Sequence, residues 1–223
     1  MHDHPEHTHD HSHGHANDQG VRGMLRYLRF APRMWRSDVN VAVIELVDPH
    51  AGERVVDIGA GMGAGTVIAA RTAAEVVAVE PTPFMRRTLR ARRLFQKARS
   101  NITVVDASAE HLPLDDRSVD AIWAVNTMHH WIDPERGAAE VARTLRPGGR
   151  VVLVDEDFED PSHPEFERFS ADHGDEHHGF TMVDAGRMGE LLTTAGLTDV
   201  EASMRTLAGR PTISVTATAP ADA

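Results

Sequence analysis

Between residues 54 and 156 the chain alternates short β-branched runs with stretches of helical periodicity. The apolar runs are RVVDIG, EVVAVE, NITVVD, DAIWAVN and RVVLVDE. Helices are predicted from about Ala64, from about Pro83 to Arg99, and from about Pro134, and the LRPGG stretch stops the last one before the fifth run. Strands separated by helices indicate βαβ units, and runs that are apolar on both faces are typical of a parallel sheet. The pattern therefore predicts an α/β domain.

The pattern changes after Glu156. The segment at about 157–183 is acidic, rich in histidine and irregular, which indicates an insertion. A helix is predicted at about Asp184–Ala195, followed by strands at about Thr198–Leu207 and Thr212–Thr218. The AGRP link between these strands cannot hold a crossover helix, so we expect an antiparallel hairpin.

The first 50 residues divide into a tail and a helical segment. Residues 1–20 have no apolar periodicity, and we expect a disordered His-rich tail. Two amphipathic helices, interrupted near Pro32, are predicted within residues 21–47. The predicted organisation is a tail at 1–20, N-terminal helices at 21–50 that cover the active site, and the main domain at 51–223.

Composition excludes several classes of function. With a formal net charge of -11 the protein repels phosphate backbones, so a nucleic-acid partner is not expected. Cysteine is absent, which excludes disulfides, thiolate metal sites and cysteine nucleophiles. No apolar run approaches the ~18 residues of a membrane span, and no export signal is present, so we expect a cytoplasmic protein without membrane insertion. The oligomeric state, including a homodimer, stays open.

The stretch VVDIGAGMGAG at 55–65 admits two interpretations. Gly59, Gly61 and Ala64 satisfy the dinucleotide fingerprint, which indicates a nicotinamide-dependent oxidoreductase. The same glycines also follow Asp57 in an acid-plus-alternating-glycine pattern. Both interpretations need glycine where a cofactor approaches the backbone, and both expect an acid about 20 residues on to bind ribose hydroxyls. Glu80 is that acid, so it does not discriminate between them.

Three other features do discriminate. Asp57 lies inside the turn, where an anion disfavours a pyrophosphate but suits a cofactor that carries an amino group and a sulfonium. Asp106 ends the third strand and Ala107 follows it, so a carboxylate and a backbone N–H stand together as an adenine edge requires. The predicted sheet ends in a hairpin instead of a further parallel crossover.

Together these stretches resemble the class I S-adenosylmethionine-dependent methyltransferases, over about residues 52–157. The motifs are VVDIGAGMG, VVAVEP, VVDASAEHLPLDDRSVDAIWAVNTMHHW and RTLRPGGRVVLVDE. The last two resemble the small-molecule branch, methyltransferase type 11, which includes ubiquinone/menaquinone-biosynthesis-type enzymes. The resemblance implies a Rossmann-like, doubly wound sheet of seven strands, order 3-2-1-4-5-7-6 with strand 7 antiparallel, and helices on both faces.

The resemblance also implies a cofactor, S-adenosylmethionine, over the carboxyl ends of strands 1 to 4, and residues that bind it. These are Asp57, Gly59, Ala60 and Gly61 toward the methionine part, Glu80 and Pro81 at the ribose, Asp106 and Ala107 at the adenine, and Asn126 beside the methionine end. The alternative for Glu80 and Asp106 is a solvated acid at a strand end.

Methyl transfer is an in-line displacement, so the protein must hold donor and acceptor collinear and exclude water. A hydroxyl acceptor also needs a base. His129 and His130 follow the fourth strand, where the resemblance places the acceptor pocket, and an imidazole titrates near neutrality. We expect one of them, preferably His129, to be a general base. The alternative is that one packs under Trp131 and the other is solvated.

A divalent metal is possible in the insertion but is not the favoured interpretation. Carboxylates and imidazoles close together can bind such an ion, but their spacing here is irregular, and a solvated acidic lid with apolar members fits better. The candidate ligands are Asp155, Glu156, Asp157, His163, His173, Asp175, His177 and His178, and the apolar members are Phe158, Phe166, Phe169, Phe180 and Met182.

The sequence therefore predicts a transferase, an S-adenosylmethionine-dependent methyltransferase that acts on a small-molecule acceptor and releases S-adenosylhomocysteine. Two alternatives remain. One is the nicotinamide-dependent oxidoreductase. The other is a non-catalytic metal-binding or regulatory protein on a methyltransferase fold, which the His-rich tail suggests.

Overall fold

A computed structural model of the chain describes residues 35–167 and 184–222. Within them seven strands form one sheet of order β3-β2-β1-β4-β5-β7-β6. The first five strands are parallel, and β7 is antiparallel to both of its neighbours. This confirms the predicted strand order and orientation. The strands are β1 (Arg54–Ile58), β2 (Glu75–Val79), β3 (Ile102–Val105), β4 (Val119–Val125), β5 (Leu145–Glu156), β6 (Thr198–Leu207) and β7 (Arg210–Thr218).

Helices cover both faces of the sheet, as predicted. The α-helices are α1 (Asp38–Val47), α2 (Ala64–Ala69), α3 (Pro83–Leu94), α4 (Pro134–Thr144) and α5 (Ala185–Thr194). None of these described helices is both long and apolar enough to cross a membrane. The predicted tail at 1–20, the first N-terminal helix and residues 168–183 of the insertion lie outside the described residues.

The alternation of side chains along each strand divides the core into two layers. Val55 belongs to the layer that α1 and α2 cover, together with Val43. Its neighbour Val56 faces the opposite layer, with Val141 of α4 and Leu192 of α5. Successive strand residues point to opposite faces, so a central parallel strand must be apolar at every position. Helix α1, which is the described part of the predicted N-terminal helices, packs on the same face of the sheet as Val55.

Two predicted boundaries were wrong. The helix that begins at Pro83 ends at Leu94 and does not reach Arg99. The N–H groups of Phe95 and Gln96 bond three residues back, which tightens the chain and ends the helix, and Phe95 is 86% exposed and buries no apolar face. A separate short 3₁₀ turn covers Arg99–Asn101.

The fifth strand begins at Leu145, directly after α4, and not after the glycines. Its pairing with β4 shifts register between the Val119 and Ala121 pairs, so the Pro–Gly–Gly stretch forms an irregularity inside the strand. Gly148 has a φ of 74° there, and it donates a backbone hydrogen bond to Ala219. The sequence signal that ends the helix is therefore also a bulge signal.

Candidate functional site

The turn after β1 is built from glycines in the left-handed region. Gly59, Gly61 and Gly63 have φ values of 68°, 52° and 79°, which glycine adopts without steric cost. A Cβ on Gly59 would also lie 2.2 Å from Oγ1 of Thr127. The turn after β1 therefore packs against the loop after β4, and no side chain fits between them.

Glu80 follows β2 and holds this turn in place. Its Oε2 accepts from the N–H of Gly61 at 2.8 Å, and its Oε1 accepts from the N–H of Thr82 at 2.7 Å. Burial raises the pKa of Glu80, while these two N–H groups partly oppose the increase. A carboxylate has about four acceptor positions, so Glu80 retains the capacity to accept from ribose hydroxyls.

Arg86, which sequence reasoning did not single out, joins the ends of β2 and β3. Its Nη1 donates to the carbonyls of Glu80 and Pro81, at 2.8 and 2.5 Å, and its Nη2 donates to Oδ2 of Asp106 at 2.5 Å. The residue is 7% exposed. In the sequence Arg86 is one of several arginines in the helix that begins at Pro83. The sequence alone does not show which of these arginines is buried.

Asp106 and Ala107 lie at the end of β3, as predicted. The side chain of Asp106 is 66% exposed despite its bond to Arg86. Among the described residues none accepts a hydrogen bond from the N–H of Ala107. An exposed carboxylate beside an available N–H is the acceptor–donor pair that an adenine edge requires.

Asp57 is turned toward the helix that follows it. It is 3% exposed, and its Oδ2 accepts from Oγ1 of Thr66 in α2 at 2.5 Å. Burial raises its pKa to about 7, and the bonds from Thr66 only partly oppose this. Asp57 therefore anchors the start of α2 beneath the glycine turn. A contact with the methionine part of a cofactor stays a prediction.

The loop after β4 is fixed to the end of β5. Asn126 has a φ of 54° and exchanges two hydrogen bonds with Glu156: its Nδ2 donates to Oε1, and its Oδ1 accepts from the backbone N–H, both at 2.7 Å. Three residues further on, Nδ1 of His129 lies 2.8 Å from Oδ2 of Asp155. His130 is exposed, with its ring centroid 4.0 Å from that of His129.

Two of the proposed insertion carboxylates belong to β5 and have partners within the fold. Asp155 holds the loop after β4. Glu156 accepts from Nη1 of Arg210 at 2.7 Å, and its Oε2 lies 3.1 Å from Nε2 of the buried His163. Since Nδ1 of His163 accepts from the N–H of Glu165, Nε2 is the donor to Glu156.

Within residues 35–167 and 184–222 no group of three or more His, Asp or Glu side chains is arranged to hold a metal ion. Of the apolar residues assigned to a lid, Phe158 packs edge-on against the ring of His163, with centroids 4.7 Å apart. Some of the candidate metal ligands and lid residues lie outside the described residues. They are Phe169, His173, Asp175, His177, His178, Phe180 and Met182.

The structure thus brings the predicted cofactor residues to one edge of the sheet. The glycine turn, Glu80, Asp106 and Asn126 all follow strands β1 to β4 at their carboxyl ends, where ligands of open α/β sheets bind. This edge presents a glycine-rich turn, a carboxylate beside it and an open acceptor–donor pair.

Comparisons with known proteins agree with this arrangement. The model of a family described as methyltransferase domain, type 11, matches residues 56–153. A methyltransferase of Mycobacterium tuberculosis that is itself uncharacterized is 44% identical over 111 residues, which are 50% of this chain and 43% of that protein. A demethylmenaquinone methyltransferase of Clavibacter sepedonicus is 34% identical over 123 residues, which are 55% of this chain and 47% of that one.

A solved structure of similar fold is a SAM-dependent methyltransferase from Aquifex aeolicus. It has a TM-score of 0.64 and 19% identity, over 90% of this chain and 99% of that one. At this identity the match establishes the fold alone. The aligned part spans a little under half the length of the two curated relatives.

Proposed function

We propose that the protein transfers a methyl group from S-adenosylmethionine to a small-molecule acceptor, because residues 56–153 match the model of a methyltransferase domain. The observation that carries the proposal is the edge formed by the glycine turn, Glu80, and the Asp106–Ala107 pair. S-adenosylmethionine supplies a methyl group on a positively charged sulfur, which makes that carbon electrophilic. The protein's task is then to bind, orient and exclude water.

We assign the binding roles by strand. Gly59, Ala60 and Gly61 offer backbone to the methionine part, with Asp57 supporting the turn from below. Glu80, with Pro81 beside it, accepts from the ribose hydroxyls through lone pairs that Gly61 and Thr82 leave unused. Asp106 accepts from the adenine amine, and Ala107 donates to a ring nitrogen. Asn126 lies beside the methionine end.

We assign the general base to the loop after β4. His129 and His130 both lie there, and Thr127 of the same loop packs against Gly59. A base in this loop is therefore next to the turn that we assign to the cofactor. The contact between His129 and Asp155 favours His129. The match to a demethylmenaquinone methyltransferase supports a small-molecule acceptor.

The alternatives predict other ligands. For an oxidoreductase the buried carboxylate of Asp57 under the turn is unfavourable, because its ionised form would repel a pyrophosphate. A metal-binding or regulatory protein would have no use for the residues that we assign to adenine and ribose, which are Asp106, Ala107 and Glu80. The titration described below distinguishes both alternatives from the methyltransferase.

Calorimetric titration of the full chain with S-adenosylmethionine, S-adenosylhomocysteine and NADH tests the proposal. We expect the two sulfur ligands to bind at micromolar concentration, NADH not to bind, and chelator to change nothing. Asp106→Ala should weaken binding at least tenfold. Asp115→Ala, which removes another exposed loop aspartate, is the matched control and should bind as the wild type does. Binding of NADH alone, or metal uptake without nucleoside binding, would reject the proposal.

A further inference from the structure

One buried carboxylate holds the loop that carries the predicted base. Oδ1 of Asp155 accepts from the N–H groups of Thr127 and Met128, at 2.9 and 3.4 Å. Its Oδ2 accepts from the N–H of His129 at 3.1 Å and lies 2.8 Å from Nδ1 of the same residue. The side chains of Asp155 and His129 are only 5% and 11% exposed. Asp155 therefore contacts both the backbone of the loop after β4 and the imidazole ring of His129.

The state of Asp155 determines which nitrogen of the His129 ring carries hydrogen. Burial alone raises the pKa of Asp155, but the contacts with His129 and with the loop N–H groups outweigh it, so the pKa lies below its usual value. The carboxylate is therefore ionised at neutral pH and can only accept hydrogen bonds. Nδ1 must then donate, and in the neutral ring the basic lone pair is on Nε2.

We propose that Asp155 is a positioning residue that holds His129 in the Nδ1–H form, and that the acceptor is a small molecule with a phenol- or enol-type hydroxyl that His129 deprotonates. This inference rests on the proposed methyltransferase function. A neutral amine already has a lone pair and gains little from a base before attack, whereas a hydroxyl must lose its proton to become a strong nucleophile.

The step balances without a further reactant. The hydroxyl proton passes to Nε2 of His129, and the freed oxygen pair forms a bond to the methyl carbon. The electron pair of the C–S bond stays on sulfur, so the positive charge moves from sulfur to the imidazolium. Asp155, at 2.8 Å from Nδ1, stabilises that charge where it forms. Asp155 does not itself take up the proton.

The tautomer of His129 tests the positioning role without any substrate. The full chain is labelled with ¹⁵N-histidine, and two-bond ¹H–¹⁵N spectra are recorded near pH 8, with His129→Gln to assign the ring. We expect a protonated Nδ1 and an unprotonated Nε2 in the wild type. In Asp155→Asn the amide can donate to Nδ1, so the ring should switch to the Nε2–H form, as the analogous substitution does in the serine protease triad.

Glu156→Gln is the matched control, because it changes the next carboxylate of β5, which contacts Asn126, His163 and Arg210. It should leave the tautomer of His129 unchanged. A wild-type ring protonated on Nε2 would overturn the positioning role, and this holds even if Asp155→Asn does not fold. A tautomer that Asp155→Asn leaves unchanged would do the same.

Calorimetry with S-adenosylhomocysteine on the same labelled sample separates this inference from the proposed function. If the wild type binds the ligand and has the Nδ1–H ring, both are supported. If it binds the ligand but has the Nε2–H ring, only the positioning role fails. If the wild type does not bind the ligand, the methyltransferase function fails, and the acceptor class fails with it whatever the tautomer is.

Discussion

Asp57 stands near the end of β1 with its carboxylate inside the protein, where an ionised group loses its hydration. Burial raises its pKa from 3.8 to about 7, the charge of nearby Glu80 adds to the increase, and the hydroxyl of Thr66 reduces it. The unfolded chain loses this proton near pH 4, and the folded chain keeps it until near pH 7. Between these values the folded state binds more protons, so Asp57 makes the protein less stable as the pH rises.

Asp57→Asn should remove this pH dependence. We expect the free energy of unfolding of the variant, relative to the wild type, to be higher at pH 8 than at pH 5 by about 2–3 kcal/mol, since each pKa unit corresponds to about 1.4 kcal/mol. Urea denaturation at both pH values measures it. Asp115→Asn, at an exposed position, should differ by less than about 0.5 kcal/mol. An equal response of the two variants would show that Asp57 is ionised in the fold.

At the scale of elements, the site depends on the packing of two turns from different βα units. The glycine turn after β1 and the loop after β4 touch where Thr127 meets Gly59. Glu80 ties the same turn to β2, and Asp155 ties the same loop to β5. Each turn is therefore held by the strand beside it, which keeps the predicted cofactor and acceptor positions in a fixed relation.

Gly59→Ala tests this packing, with Gly52→Ala as its control. Both glycines have a positive φ, 68° and 93°, so both substitutions strain the backbone. At Gly52 nothing lies within 4 Å of the added Cβ, whereas at Gly59 it meets Oγ1 of Thr127 at 2.2 Å. We expect Gly52→Ala to cost about 1 kcal/mol and Gly59→Ala about 3 kcal/mol or more.

Chemical denaturation of both variants gives the two free energies of unfolding. The larger cost should also appear as weaker S-adenosylhomocysteine binding for Gly59→Ala only, because Gly52 lies before β1, away from the site. Equal destabilisation of the two variants would mean that backbone strain alone sets the cost, and that the two turns do not need to touch.

At the scale of the whole molecule, a ligand that bridges the ends of β1 to β4 contacts loops from four separate parts of the chain. Saturation at about a hundred times the dissociation constant adds about 2.7 kcal/mol to the stability of the folded state. For a domain of this size this corresponds to a rise in the unfolding midpoint of about 5–10 °C. Differential scanning calorimetry of the full chain with S-adenosylhomocysteine measures the rise.

The same experiment with NADH and with chelator distinguishes the alternatives. NADH should leave the midpoint unchanged, and chelator should not reduce the effect of S-adenosylhomocysteine. A midpoint that responds only to added zinc or nickel would favour the metal-binding alternative.

The strand order, the antiparallel β7 and the edge at which Glu80 and Asp106 lie could all be predicted from the sequence. Periodicity predicts which segments are strands, and the resemblance to the methyltransferase family implies how they are arranged. The end of α3 and the start of β5 were predicted wrongly. They depend on which N–H groups bond three residues back, and on how the Pro–Gly–Gly stretch interrupts the pairing of β5 with β4.

The sequence by itself determined the class of fold and the residue types at the cofactor edge, because glycines and acids at strand ends are local signals. Only the tertiary structure decided which residues form hydrogen bonds with them. Arg86 lies among other helix arginines in the sequence, and only folding buries it between Glu80 and Asp106. Asp155 and His129 are 26 residues apart, and no local pattern relates them. They meet because β4 and β5 are adjacent and parallel, which places their carboxyl ends side by side.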